Sequence, residues 1–297
     1  MTLISETFSE YNTHIVNNKD HKTIVYYGLL GHRIGDQIAT TAVARFWQKL
    51  VPDAAIIAMN YSYGNQRWKI DPNVYFNDWD AIINISSDEE DRRFYQLLDD
   101  KKAMAIHGYN LWNAMPFLKR DHGIYPHIIS SEHYDDWWKQ QRQRLEIPQE
   151  CVVMHILEDA TYNVCRNHRR RQMLELAKLI SPIMPIIILS STGKPINDRN
   201  IFDFSGAHGY NIDQNIAIIN ASSIYIGGDT GFTHAAGALG KRVLAIYPSR
   251  AVNEVKDLTW DSMVSIPDNR LTKIDIGPRN FFDLWKAYQG FKTLIGM

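Results

Sequence analysis

The 297-residue chain is long enough for two domains of ordinary size, and its 45% hydrophobic and 22% charged content describes a globular protein with full cores. A net charge of −1 and a pI near 6.8 exclude a general polyanion binder, though not a local basic patch. The two cysteines, Cys151 and Cys165, supply neither a disulfide framework nor a zinc spacing, which fits a reducing cytoplasm. The polar, mixed-charge stretch Met1–Asp20 does not read as a signal peptide, and no apolar run reaches the length of a membrane span.

In chain order, Thr23–Tyr27 is the first expected strand. A helix follows from Gln37 to Leu50, with Ile38, Ala42, Phe46 and Leu50 on one stripe. Strands are expected over Ala54–Met59, Ala81–Ile85 and Lys102–His107. A helix is expected over Tyr134–Leu145, with a linker ending at Pro148. A second alternating series begins at Cys151: strand Val152–His155, helix Arg169–Ile180, strand Ile186–Ser190, helix Asn211–Asn220, strand Ser223–Ile226, a small-residue helix, strand Arg242–Tyr247 and a terminal helix over Phe281–Ile295. Alternating strands and helices predict α/β domains, each a parallel sheet covered on both faces. The expected division is residues 1–148 and 149–297.

Three stretches carry candidate chemistry. In Gly227-Gly228-Asp229-Thr230-Gly231-Phe232-Thr233-His234, a glycine-rich turn leads from a strand into a helix. Such a turn presents backbone N–H groups at the positive end of the helix dipole, an anion site suited to phosphate. An ordinary turn, with Asp229 as cap and Gly231 for clearance, explains the same spacing. The first expected strand runs into Gly28-Leu29-Leu30-Gly31-His32-Arg33-Ile34-Gly35-Asp36, whose spacing is not that of a dinucleotide fingerprint. Here Asp36 is either a helix cap or a carboxylate free for proton transfer. The basic run Arg166-Asn167-His168-Arg169-Arg170-Arg171 sits at a helix start, against the macrodipole. It reads either as an anion contact or as a solvated charge run.

The loop Ser190-Ser191-Thr192-Gly193-Lys194 lies at the carboxyl end of a strand, where open α/β sheets bind ligands. Asp78-Trp79-Asp80 leads directly into a strand and reads as a turn rather than a metal site. The 11 histidines form no metal-binding pair; His107, His122 and His127 read as structural or surface residues.

Asp229-Thr230-Gly231, with His234 five residues after the aspartate, an Ala/Gly-rich helix and a strand ending Tyr247-Pro248-Ser249, resembles the signature of glycosyltransferase family nine. This family comprises the ADP-heptose:lipopolysaccharide heptosyltransferases and their relatives. The resemblance covers roughly residues 150–250 and, less closely, 23–60. It implies two Rossmann-like domains facing each other across a cleft (the GT-B architecture), with a C-terminal helix crossing back to the first domain. It implies an inverting, metal-independent transferase with no cofactor beyond its nucleotide-diphosphate-sugar donor.

The donor would be held by Gly228, Asp229, Thr230, Gly231 and His234, by Arg166 or Arg169, and by Ser191 and Thr192. In the family a Gly-Asp pair fills the turn occupied here by Gly35-Asp36, and its aspartate is the general base. His32 and Arg33 depart from the family turn and fall on the acceptor side. The family's Lys-x-Trp-Pro pattern is missing from the second domain. The default acceptor is a lipopolysaccharide-type saccharide, lipid-linked at the membrane surface. Three alternatives stay open: a phage-type transferase acting on hydroxymethylated DNA, with Arg166–Arg171, Trp112, Trp137 and Trp138 as contacts; a nucleotide-sugar epimerase; and a catalytically inactive nucleotide-sugar binder.

Overall fold

A computed structural model describes residues 2–4, 23–27, 34–61, 70–85, 103–107, 111–156, 170–206, 210–228, 230–247, 266–276 and 281–297. The chain divides into two compact units, Met1–Ile129 and Ser130–Met297.

The first unit carries a five-stranded, all-parallel sheet. Its strands are β1 (Thr2–Ile4), β2 (Thr23–Tyr27), β3 (Ala55–Tyr61), β4 (Ala81–Ile85) and β5 (Ala103–His107), in the order β1-β5-β2-β3-β4. Helix α1 (Ile34–Leu50) follows β2 and is buried on most of its circumference. Its buried polar residues Gln37, Thr40 and Thr41 are hydrogen-bonded. The Gln37 amide donates to the Ile70 carbonyl at 3.2 Å and accepts the Ile70 N–H at 3.0 Å. The Thr41 hydroxyl donates to the Ile38 carbonyl at 2.7 Å and accepts the His127 N–H at 2.9 Å. A short helix α2 (Pro72–Tyr75) precedes β4, and α3 (Leu111–His122) packs on α1. His122 meets the Phe46 ring edge-on with centroids 5.0 Å apart, a structural role.

The acidic pair around Trp79 is also structural. Asp80 accepts the Ile56 N–H at 2.7 Å, which fastens β3 to the start of β4, and Trp79 is buried. Asp78 lies 3.8 Å from Arg45 and 4.0 Å from His127, while its burial pushes the carboxyl pKa up.

The second unit begins with α4 (Glu132–Arg144), some twenty residues before the division expected near 148. The reason is packing. Helix α4 lies on α6 and seats Trp138 in the core of the second unit. The Trp138 side chain is 1% exposed. The strands of this unit are β6 (Val152–His155), β7 (Ile186–Ser190), β8 (Ile201–Ser205), β9 (Ile224–Gly227), β10 (Arg242–Tyr247) and β11 (Leu271–Asp275). They form a six-stranded parallel sheet in the order β11-β10-β9-β6-β7-β8. The helices are α5 (Arg170–Ile180), α6 (Ile212–Asn220), α7 (Gly231–Ala238) and α8 (Leu284–Leu294).

Period-two alternation decides which face each strand residue serves. Val152, Met154, Ile186, Ile188, Ile224, Ile226, Leu244 and Ile246 pack with Met173, Leu176, Ala177 and Ile180 of α5 and with Ala287 and Phe291 of α8. Cys151, Val153, Ile187, Leu189, Tyr225, Val243 and Ala245 pack on the other face with Trp138, Ile218 and Ala236. Burial on both faces explains the nearly continuous apolar runs of β6, β7, β9 and β10. The buried residues of the terminal helix, Ala287, Gly290 and Phe291, pack on α5, β10 and β11 of the second unit.

Candidate functional site

Counted within its own unit, the second sheet has the order 6-5-4-1-2-3, the doubly wound arrangement. Its topological switch lies between β6 and β9, because the chain leaves β6 for α5 on one face and leaves β9 for α7 on the other. The two loops part there and leave a crevice at the carboxyl edge, where such sheets bind ligands. Met154 pairs with Ile226, so His155 and Gly227 end the two strands side by side.

The turn that follows is held from inside. The Thr233 hydroxyl donates to the Gly228 carbonyl and lies 3.4 Å from the Tyr225 hydroxyl. Thr230 occupies the N-cap position with extended backbone (φ −139°, ψ 163°), and its side chain makes no capping bond. The Thr230 and Thr233 hydroxyls are 3.5 Å apart. Tyr225 is fully buried below them, and desolvation pushes its phenol pKa up to about 12. The glycines divide by role. A Cβ on Gly227 would stand 2.6 Å from the Tyr225 hydroxyl, and one on Gly237 would stand 2.4 Å from Ile266 Cγ1. Both are small because a neighbour fills their space. Gly228 and Gly231 sit at the mouth of the turn beside Thr230.

The expected donor residues Gly228, Thr230, Gly231 and His234 thus share one turn and the first turn of α7, with His234 only 8% exposed. Ser191 and Thr192 lie exposed on the loop after β7, at the same carboxyl edge. Asp229, Arg166, Arg169, His32 and Arg33 lie outside the described residues.

The structure separates two arginines of the basic run, and only one of them fits a solvated charge run. Arg170 is not a solvated charge. Its side chain is 14% exposed, and the guanidinium reaches Asp203 at 3.1 Å, the Ser205 hydroxyl at 3.1 Å and the Lys194 carbonyl at 3.0 Å. Arg171 is the solvated one, with a 3.0 Å ion pair to Glu175 one turn on. Trp137 and Trp138, expected to stack on bases in the DNA reading, are occupied as well. Trp138 is core, and Trp137 packs edge-on against Tyr210 at 5.0 Å. That reading therefore loses Arg170, Trp137 and Trp138 as contacts.

His155 was not singled out from the sequence. Its imidazole ends an otherwise apolar strand, is 8% exposed, and meets the Phe232 ring of α7 edge-on at 5.1 Å. An imidazole closing a Val-Val-Met run was the available signal.

In the first unit, β2 and β5 flank the corresponding switch, with Tyr27 beside His107 at their carboxyl ends. The helix after β2 starts at Ile34, three residues earlier than expected. Asp36 is therefore inside the first turn and is not the N-cap. The helix dipole favours a carboxylate there. Asp36 is partly exposed, and Gly35 beside it is buried.

No family model matches the sequence. No curated protein matches it. Solved structures do match its fold. A glycosyl transferase of family 9 from Veillonella parvula aligns with a TM-score of 0.67 at 12% identity, covering 93% of this chain and 98% of that one. The ADP-heptose lipopolysaccharide heptosyltransferase II of E. coli aligns with a TM-score of 0.56 at 13% identity over 92% and 98%. E. coli heptosyltransferase WaaC with ADP aligns with a TM-score of 0.51 at 9% identity over 92% and 98%. The chain therefore has the fold of family 9 glycosyltransferases across nearly its whole length. Among the described residues no helix is long and apolar enough to cross a membrane.

Proposed function

We propose that the protein is an inverting, metal-independent glycosyltransferase that moves a sugar from a nucleotide-diphosphate sugar to a saccharide hydroxyl. One observation carries the reading: the second unit places a glycine turn and a helix N-terminus at the switch point of a doubly wound sheet, in a chain whose fold matches family 9 transferases nearly end to end.

In this reading the donor diphosphate lies on the Gly228–Gly231 turn, where N–H groups and the α7 dipole meet its charge. Arg166 and Arg169 add positive charge, and Ser191 and Thr192 face the nucleoside. His234 supports the turn. Asp229 contacts a sugar hydroxyl, because a carboxylate turned toward the phosphates is repelled. Asp36 takes the proton of the acceptor hydroxyl as its oxygen bonds to the anomeric carbon. The bond from that carbon to the diphosphate oxygen breaks, the nucleoside diphosphate leaves with the electron pair, and the configuration inverts. Gly35 lets the acceptor approach, and His32 and Arg33 contribute to its recognition. The acceptor is a saccharide of lipopolysaccharide type, lipid-linked and met at the cytoplasmic membrane surface.

The test is a panel of nucleotide sugars scored for thermal shift and for slow hydrolysis. One donor class should raise the melting temperature saturably and be hydrolysed. A panel in which no nucleotide sugar binds refutes the reading. Tight binding of hydroxymethylated duplex DNA would transfer it to the DNA acceptor.

A further inference from the structure

Arg170 belongs to the first turn of α5, yet its hydrogen bonds reach across to the loop after β7. Its guanidinium donates to the Lys194 carbonyl at 3.0 Å and to the Thr192 carbonyl at 3.4 Å. The same group donates to Asp203 and to the Ser205 hydroxyl on β8, each at 3.1 Å. Asp203 has no exposed side-chain surface, and it also accepts the Ile196 N–H at 3.0 Å, where the loop returns. The Ser205 hydroxyl donates to the second oxygen of the Asp203 carboxylate. The loop is shaped to admit this clamp. Gly193 has φ +83°, and a Cβ there would stand 2.8 Å from the guanidinium carbon. Gly206 has φ +63°, and a Cβ there would stand 2.5 Å from the Gly193 carbonyl. Only glycine adopts such backbone readily, and only glycine leaves the space.

A planar guanidinium with five donors can serve a carboxylate, a hydroxyl and two carbonyls at once; an ammonium on the same stem cannot. The loop it ties down through the Thr192 and Lys194 carbonyls, Ser191 to Lys194, is exposed at the carboxyl edge, on the strand next to β6. An exposed loop of this kind loses its shape without an anchor. We propose that Arg170, held by Asp203, is a positioning residue that presents Ser191 and Thr192 to the donor's nucleoside and so sets selectivity for its base. This inference rests on the nucleotide-sugar reading above.

The experiment titrates ADP, GDP, UDP and CDP calorimetrically into the wild-type chain, Arg170→Lys and Gly193→Ala. Arg170→Lys keeps the charge that neutralises buried Asp203 but loses the fork to the loop. Gly193→Ala keeps both charges but sets a methyl 2.8 Å from the guanidinium carbon on a backbone with φ +83°, so it disturbs the loop and its fork to Arg170 without removing either ion, and it decides the matter if the lysine variant does not fold. The wild type should prefer one base. Both variants should weaken that diphosphate about tenfold, roughly the loss of one hydrogen bond. They should leave the poorly bound diphosphates nearly unchanged, so that base selectivity collapses. A purely structural clamp predicts equal weakening of all four ligands, and that result, or unchanged selectivity in Gly193→Ala, overturns the inference. A wild type that binds all four alike overturns it too. A wild type that binds none refutes the nucleotide-sugar reading itself.

Discussion

Gly237→Ala tests whether the glycines of the α7 region serve packing or ligand. Gly237 lies in the middle of α7, buried against Ile266, which is 1% exposed. In an unconstrained helix the change to alanine gains about 1 kcal/mol. Here the new methyl would lie 2.4 Å from Ile266 Cγ1 and 2.9 Å from Cδ1, well inside van der Waals contact. Overpacking of this kind costs about 1–3 kcal/mol, and the 2.4 Å approach points to the upper end. The net expectation is a loss of about 2 kcal/mol, or roughly 4–8 °C in the melting temperature of a unit of this size.

Ile266→Ala removes both crowding atoms and leaves Cβ, 3.5 Å from the added methyl, which is ordinary contact. Alone it costs about 2–5 kcal/mol through the cavity it opens. In that background Gly237→Ala should change sign and stabilise by about 1 kcal/mol, since the methyl fills part of the void and the helix gains its propensity. The double-mutant cycle should therefore show a coupling near 3 kcal/mol. Urea denaturation followed by circular dichroism, with calorimetry for the melting temperatures, measures all four corners. A neutral or stabilising Gly237→Ala in the native background, or the same sign in both backgrounds, refutes the packing argument.

Asp36→Asn should leave nucleotide-sugar affinity nearly unchanged and lower transfer at least about a hundredfold, as expected for a lost general base; normal activity per folded molecule would reduce Asp36 to a first-turn carboxylate. Asp229→Ala should weaken nucleotide-sugar binding more than nucleoside-diphosphate binding, and equal losses by calorimetry would remove the sugar contact. Tyr225 gives a pH signature. Its folded pKa, about 12, lies above the unfolded value near 10, so the unfolded chain releases its proton first. The stability it contributes is full below pH 10 and is lost as pH rises toward 12. Tyr225→Phe should therefore show a shallower alkaline fall in urea midpoint than the wild type, and identical slopes would count against the buried neutral phenol.

The sequence by itself determined the architecture of both sheets' interiors. Strands β2, β4, β6, β7 and β10 coincide with their expected limits; for β6, β7 and β10 the reason is that a strand buried on both faces must be apolar almost throughout. It also marked the glycine turn after β9, since a change from a strand run to small residues is visible locally.

Three strands were not foreseen: β1, β8 and β11. All three are edge strands. In β8 only Ile201 and Ser205, and in β11 only Ile274, are buried as whole residues, so no continuous apolar run announces these two, whereas the edge strand β4 is nearly all apolar and coincides with its expected limits. The helix Leu111–His122 was missed as well. The sequence also placed the unit boundary too late, because Trp138 could be assigned to a core only once α4 was seen packed on α6.

Tertiary structure alone decided which polar residues carry chemistry and which carry the fold. Neighbouring arginines 170 and 171 are alike in a sequence. One is buried on Asp203, 33 residues away along the chain, and the other faces solvent. The same holds for His155, whose position at the switch point depends on β9 pairing beside β6 across more than sixty intervening residues. Local patterning fixes which segments are strands and helices; which side chains meet at a sheet edge is set by strand order, and strand order is a long-range property.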